Sequence, residues 1–331
     1  MRSVLGVTAV ISIAAPFASS AGQASQAQVF APGVISGPEN DFAPAFASDS
    51  SYVLFSRKTD KGISIMISLR QGKTWSRPSV VPFSGRWTDL ESALSPDGTY
   101  LVFASNRPAA DGGEALSANY GGGAQSGGNL WRVDISHGHW SAPSRLPGAV
   151  NDQNSVWTPS IARDGALYFM STDPATGRFR LHVAPSDRGR YAPAQDLAFS
   201  SGAFNDVDPA VNPRQEFLVF SSDRASPGTG ARAGPERLFI AFGIRGDAPL
   251  VCQISIPGWE DASLSQVEAR FSPDGRTLYF ASRRLAHKAG EPPRGDWDDG
   301  KANIWMIPFD AGLWSQAPGA SAACRAHRQT R

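Results

Sequence analysis

Apolar residues along this chain come in short runs that alternate with polar positions and are cut by glycine and proline, the spacing expected of β-strands. The same sentence recurs five times: APAFASDSSYVLFSRK (43 to 58), ESALSPDGTYLVFASNR (91 to 107), TPSIARDGALYFMSTD (158 to 173), DPAVNPRQEFLVFSSDR (208 to 224) and EARFSPDGRTLYFASRR (268 to 284). Each copy predicts a strand, a tight turn and a second strand. In the turn, Pro sets φ, Asp bonds to nearby backbone, and Gly accepts positive φ. Aligned on their aromatic strand end, the copies place Phe55, Phe103, Phe169, Phe220 and Phe280 at one position. They recur about every 50 to 65 residues, a period that marks propellers or repeat arrays.

A second hairpin follows in most copies, with Gly72, Gly138, Gly189 and Gly312 just ahead of Trp75, Trp140, Tyr191 and Trp314. Their regular place predicts packing between repeats rather than a sugar-stacking belt. Four antiparallel strands per unit make an all-β fold, a single β-propeller of four-stranded blades. Five units predict five blades, with six as the alternative. The segment VFAPGVISGPEND near the N-terminus mimics the end of a unit and predicts a strand that closes the ring beside the last blade. Expected boundaries are an export signal over 1–27, the propeller over 28–318 and a tail over 319–331.

The Pro-Asp-Gly unit resembles the TolB-like, WD-repeat-like propeller repeats of bacterial envelope proteins. The resemblance covers roughly residues 39 to 318. It implies the fold, and a periplasmic or secreted place for the chain. Propellers of that kind mostly have six blades, which is why the blade number stays open.

The N-terminus agrees with export: Arg2, an apolar run from Val4 to Phe17, then small residues at Ser19, Ser20 and Ala21. No later window is long and apolar enough to span a bilayer. With 31 basic and 30 acidic residues, the formal charge of +1 offers no polyanion surface, so nucleic acid is not an expected partner. The two cysteines, Cys252 and Cys324, either pair in an oxidising compartment, tying the tail to an outer strand, or stay as thiols.

Calling the strands of a unit a to d, the a-b and c-d turns share one face and the b-c and d-a loops the other. The first set is short and repetitive. The b-c loops are long over 108–128, 225–236 and 285–302, and long loops on a rigid scaffold are where binding concentrates. Carboxylates gather where the innermost strands enter from that face: Asp41, Asp89, Glu91, Asp152, Asp206, Asp208 and Glu268. Each alone reads as a loop cap; together they could draw a cation or polyol to the channel.

The reading favoured by sequence is therefore a non-enzymatic binding or scaffold protein, expected to be monomeric, that recognises a protein or carbohydrate. Its ligand-binding candidates are Asp89, Glu91 and Asp208 with Trp87, Trp157, Trp259 and Trp297. The alternative is a glycoside hydrolase using Asp41, Asp152, Asp206 and Glu268, whose inverting chemistry needs an acid and a base roughly 6.5 to 9.5 Å apart. No Gly-x-Ser-x-Gly nucleophile elbow is present. Asp296, Asp298 and Asp299 in DWDDG look like part of a calcium loop, making Ca2+ the one cofactor considered, although the full ligand pattern is not met.

Overall fold

The computed structural model describes residues 26–110, 112–120, 122–224, 234–259, 263–317 and 320–327. Nearly all of the expected export signal, and most of the long loop at 225–236, lie outside the described residues. Five four-stranded antiparallel blades surround a central channel. Blade 1 comprises Asn40–Phe46, Tyr52–Thr59, Gly62–Gln71 and Ser79–Val80; blade 2, Asp89–Leu94, Tyr100–Ser105, Asn129–Ser136 and Ser144–Arg145. Blade 3 comprises Val156–Ile161, Leu167–Thr172, Phe179–Ala184 and Gln195–Asp196; blade 4, Asp206–Val211, Phe217–Ser222, Arg237–Phe242 and Leu250–Gln253. Blade 5 takes Val267–Phe271, Thr277–Ser282 and Asn303–Pro308 from the C-terminal part of the chain and its outermost strand, Gln28–Val29, from the N-terminal part. Gln28 pairs with Met306 and Val29 with Trp305, so the ring closes as the sequence predicts, and with five blades.

The turns form for the reasons their residues suggest. Ser95 Oγ donates to Asp97 Oδ1 at 2.6 Å, Gly98 N donates to Ser95 O at 2.9 Å, and Gly98 holds φ at 72°. Ser272, Asp274 and Gly275 (φ 70°) repeat that turn in blade 5. The five repeat phenylalanines are all buried, at 1% exposure or less. The aromatics of the expected second hairpins pack across blades, although in blade 5 that segment is the short helix Gly312–Ser315 and not a hairpin, because the N-terminal strand takes the outer place in the sheet. Trp75 lies edge-on to Phe30, beside the closing strand, and Trp140 of blade 2 lies against Tyr52 and Phe83 of blade 1. Trp314, fully buried, joins Phe242 of blade 4 to Phe309.

Cys252 and Cys324 are disulfide-bonded, which fixes the short helix Ala322–Ala326 to the outermost strand of blade 4. Among the described residues no helix is long and apolar enough to cross a membrane. The bridge spans 72 residues, a loop whose closure removes about 4.4 kcal/mol of denatured-state entropy. Cys252→Ser with Cys324→Ser is expected to lower unfolding free energy by about that amount, read as a fall in the urea midpoint. Reductant should produce the same fall in the wild type and none in the double variant.

Candidate functional site at the channel mouth

Every innermost strand is interrupted by a two-residue bulge at the same place. In blade 1 Phe42 pairs with Ser56 and Ala45 with Leu54, leaving Ala43 and Pro44 opposite Phe55. The same register shift sets Glu91 and Ser92 opposite Phe103, Thr158 and Pro159 opposite Phe169, Asp208 and Pro209 opposite Phe220, and Glu268 and Ala269 opposite Phe280. The first residue of each bulge is left-handed: Ala43 at φ 50°, Glu91 at 56°, Thr158 at 48°, Asp208 at 56° and Glu268 at 58°. A non-glycine residue in that region costs on the order of 1–2 kcal/mol, and a β-branched threonine there is rarer still. Bulges re-aim side chains. Three of these five converge, and one carboxylate oxygen each from Glu91, Asp208 and Glu268 lies within 4.8 Å of the others.

Neighbouring blades lace the group together. Thr158 donates from both its N–H and its Oγ1 to Glu91 Oε2 at 2.8 Å, and Glu268 N donates to Asp208 Oδ2 at 2.9 Å. Glu91 N in turn donates to Ser56 Oγ of blade 1 at 2.8 Å. Arg270, two residues beyond Glu268 and only 6% exposed, brings Nη2 to 3.9 Å from Glu268 Oε2, and its charge favours ionisation of all three carboxyls. Burial opposes it more strongly. It pushes Glu91 up to about 7, with help from the charge of Asp208. Glu268 rises well above the usual carboxylate range through burial and then the charges of Asp208 and Glu91, and burial raises Asp208 too.

The other predicted carboxylates do different work. Asp41, Asp89 and Asp206 stand two residues before the bulge and point into their own blades. Arg57 grips Asp41 through Nε at 2.6 Å and Nη2 at 3.1 Å, and Gly37 N adds a third bond. Burial still lifts Asp41 to about 6. Asp89 takes Arg107 Nη2 and Ser105 Oγ, each at 2.6 Å, and Asp206 takes Arg224 Nη2 and Ser222 Oγ at the same distance. These are buried, hydrogen-bonded ion pairs whose partners leave little room for substrate. Asp152 is exposed on the loop entering blade 3, apart from the carboxylate group. Of the four residues expected for a hydrolase, only Glu268 reaches the cluster. Thr158 and Arg270 were not among the sequence-predicted site residues; the signal for them was the position itself, two and four places after the Asp of the aligned copies.

The predicted aromatics divide in two. Trp157 and Trp259 are buried, the first against Gly128, where a Cβ would come within 2.5 Å of the indole, the second edge-on to Phe280 and Trp305 beneath Arg284. Trp87 and Trp297 are half-buried on the loop face, with Arg86 over the first. Phe204 (37% exposed) and Leu285 (43%) share that face. The glycine-rich blade 2 loop forms a hairpin, Ser117–Tyr120 with Gly123–Ser126, whose Tyr120 meets Phe179 of blade 3 edge-on. Asp298 is fully engaged by the amides of Ala286, His287 and Arg294 and by His287 Nδ1, and Asp299 by Lys301, while Asp296 is exposed; DWDDG organises its own loop. On the opposite face, turns of blades 2 and 3 border a hollow of about 560 Å3 that includes Asp97, Arg132 and Arg188.

No protein-family model matches the sequence, and no curated protein is detectably similar to it. Solved structures similar in fold include an α-L-arabinofuranosidase from Lactobacillus brevis, at 10% identity and a TM-score of 0.53 over 82% of this chain and 90% of that one. A TolB protein from Agrobacterium tumefaciens is similar at 15% identity and a TM-score of 0.48, over 82% of this chain and 91% of that one. TolB from Acinetobacter baumannii matches at 15% identity and a TM-score of 0.46; the chain spans 55% of its length. At these identities the likeness is one of fold, a β-propeller.

The cluster sets a pH dependence. Because Glu91 rises from 4.5 to about 7 on folding, the folded state holds a proton that the unfolded state releases between those values. Its stabilising share is complete below pH 4.5 and is lost as pH climbs through 7. In chelator-treated buffer, stability is expected to fall from pH 5 to pH 8. Glu91→Gln, neutral throughout, should flatten that slope and stabilise the protein at pH 8 by on the order of 1–3 kcal/mol, measured by urea titration.

Proposed function

We propose that this propeller is an exported binding protein of the bacterial envelope or extracellular space, and that it docks a protein partner on the face carrying the b-c and d-a loops. The observation that carries this reading is the half-exposed set Trp87, Phe204, Leu285 and Trp297 on that one face, with Arg86 over Trp87 and Arg224 over Phe204. Aromatic side chains partnered by arginine are the residues that dominate protein interfaces. The blade 2 hairpin supports it, since it is anchored rather than loose: a Cβ on Gly127 would meet the backbones of Leu116 and Asn154 within 2.9 Å. The flat indoles of Trp87 and Trp297 favour a carbohydrate as the second reading. Hydrolysis is disfavoured by the burial of Glu91 and Asp208, at 5% and 4% exposure, too little to set a sugar ring against their carboxyls.

A photo-crosslinking amino acid at Trp87, Phe204 or Trp297, used in the native host, is expected to trap a defined protein, whereas the same probe at Arg188 on the turn face traps none. Trp87→Ala with Trp297→Ala should weaken that complex by roughly 10- to 100-fold, since interface indoles contribute on the order of 1–2 kcal/mol each. Crosslinks confined to Arg188 would overturn the proposed face. Capture on a glycan array, lost in the double variant, would replace the protein partner by a sugar. Turnover of aryl glycosides abolished by Glu268→Gln would overturn the non-enzymatic reading.

A further inference from the structure

The carboxylate group in the channel is incomplete as it stands. Glu91, Asp208 and Glu268 ionised, with Arg270, amount to three negative charges and one positive, a net charge of −2 at a buried site. Burying unbalanced charge costs several kcal/mol per ion, and one divalent cation would bring the sum to zero.

A second observation points to a ligand. Glu268 Oε2, Ser221 Oγ and the Nε and Nη2 of Arg270 are buried and form no hydrogen bond. Ser221 is fully buried and lies beside the Asp208 carboxyl; Arg270 is 6% exposed and faces Glu268. Buried polar atoms are almost always satisfied, so a concentration of unmet ones around three carboxylates calls for a missing partner.

We infer that the channel mouth is a calcium site, with Glu91, Asp208 and Glu268 each contributing carboxylate oxygen. Thr158 donates to Glu91 Oε2 and Glu268 N to Asp208 Oδ2, leaving for the ion Glu91 Oε1, Glu268 Oε2 and Asp208 Oδ1, the last with only a long contact from Thr158 Oγ1 at 3.4 Å. All-oxygen ligation selects a hard cation over zinc or copper. Three carboxylates whose oxygens lie within 4.8 Å of one another suit Ca2+, which takes many protein oxygens at about 2.3–2.6 Å, better than Mg2+, which keeps several waters and takes one or two carboxylates. Arg270 Nε and Ser221 Oγ are placed to hold waters that complete the coordination shell. Because the three ligands come from blades 2, 4 and 5, the ion ties blade 2 across the channel to the adjacent blades 4 and 5.

The test uses the full mature chain, stripped with chelator and dialysed, titrated calorimetrically with CaCl2 and then MgCl2. One Ca2+ per chain is expected, with a thermal midpoint raised by about 5 °C at a hundred times the dissociation constant. Glu91→Gln and Asp208→Asn, checked for folding by circular dichroism, should each lose the shift. Asp299→Asn, in the DWDDG loop, should keep it. Absence of heat and of any midpoint shift with the wild type at about 1 mM Ca2+, the weak end for extracellular modules, would overturn the inference without recourse to variants. So would a shift retained by both Glu91→Gln and Asp208→Asn, or one lost in Asp299→Asn.

Discussion

The architecture turns on one irregularity repeated in every blade, the two-residue bulge opposite the buried phenylalanine of the neighbouring strand. A regular innermost strand would send alternate side chains into the blade interfaces and leave the channel to chance. The left-handed residue breaks that alternation once per blade and aims one side chain inward. The phenylalanine fills the space behind the bulge, so core packing maintains the strained conformation. Five such positions, filled by Ala, Glu, Thr, Asp and Glu, set the chemistry of the channel.

Two sets of carboxylates therefore stand only two residues apart along the inner strands and have opposite fates. Asp41, Asp89 and Asp206 meet an arginine near the end of the second strand of their own blade or just beyond it, Ser105 adds a second bond to Asp89 Oδ1, and the Ser200 and Ser222 hydroxyls bond the two oxygens of Asp206. Their guanidinium partners also lie over the repeat phenylalanines, as Arg107 does over Phe103 and Arg224 over Phe220, so charge and core are joined at the strand ends. Breaking such a pair leaves a buried charge uncompensated, at a cost of about 3–5 kcal/mol. Glu91, Asp208 and Glu268 have a single arginine among them. Their mutual repulsion is a tension built into the folded ring.

Most of the fold was legible. The Ser-Pro-Asp-Gly turns are local chemistry, and a local interaction can be read from adjacent letters. The phenylalanine register and the closing strand follow from pattern, and the tail was rightly placed at an outer strand, although the bonding of Cys252 to Cys324 was open until their separation in space was known. What could not be read was which carboxylates face the channel. Asp206 and Asp208 are both acidic, both buried and two apart, so strict alternation puts them on one side of a strand. Only the bulge separates them. The indoles failed for a related reason: Trp157 and Trp259 occupy loop-proximal positions, as Trp87 and Trp297 do, yet glycine at 128 and the neighbouring rings admit them to the core.

The closing strand has a kinetic consequence. Gln28 and Val29 are among the first residues of the propeller to be made, and their partners Trp305 and Met306 among the last. Until those partners are present, blade 5 lacks its third strand and the N-terminal segment has no sheet to join. Contacts so distant in sequence form late and slowly. During that interval both ends of the nascent ring present unpaired strand edges, the feature most prone to pair with another chain. A host that makes this protein must keep those edges apart for the time the remaining blades take to assemble.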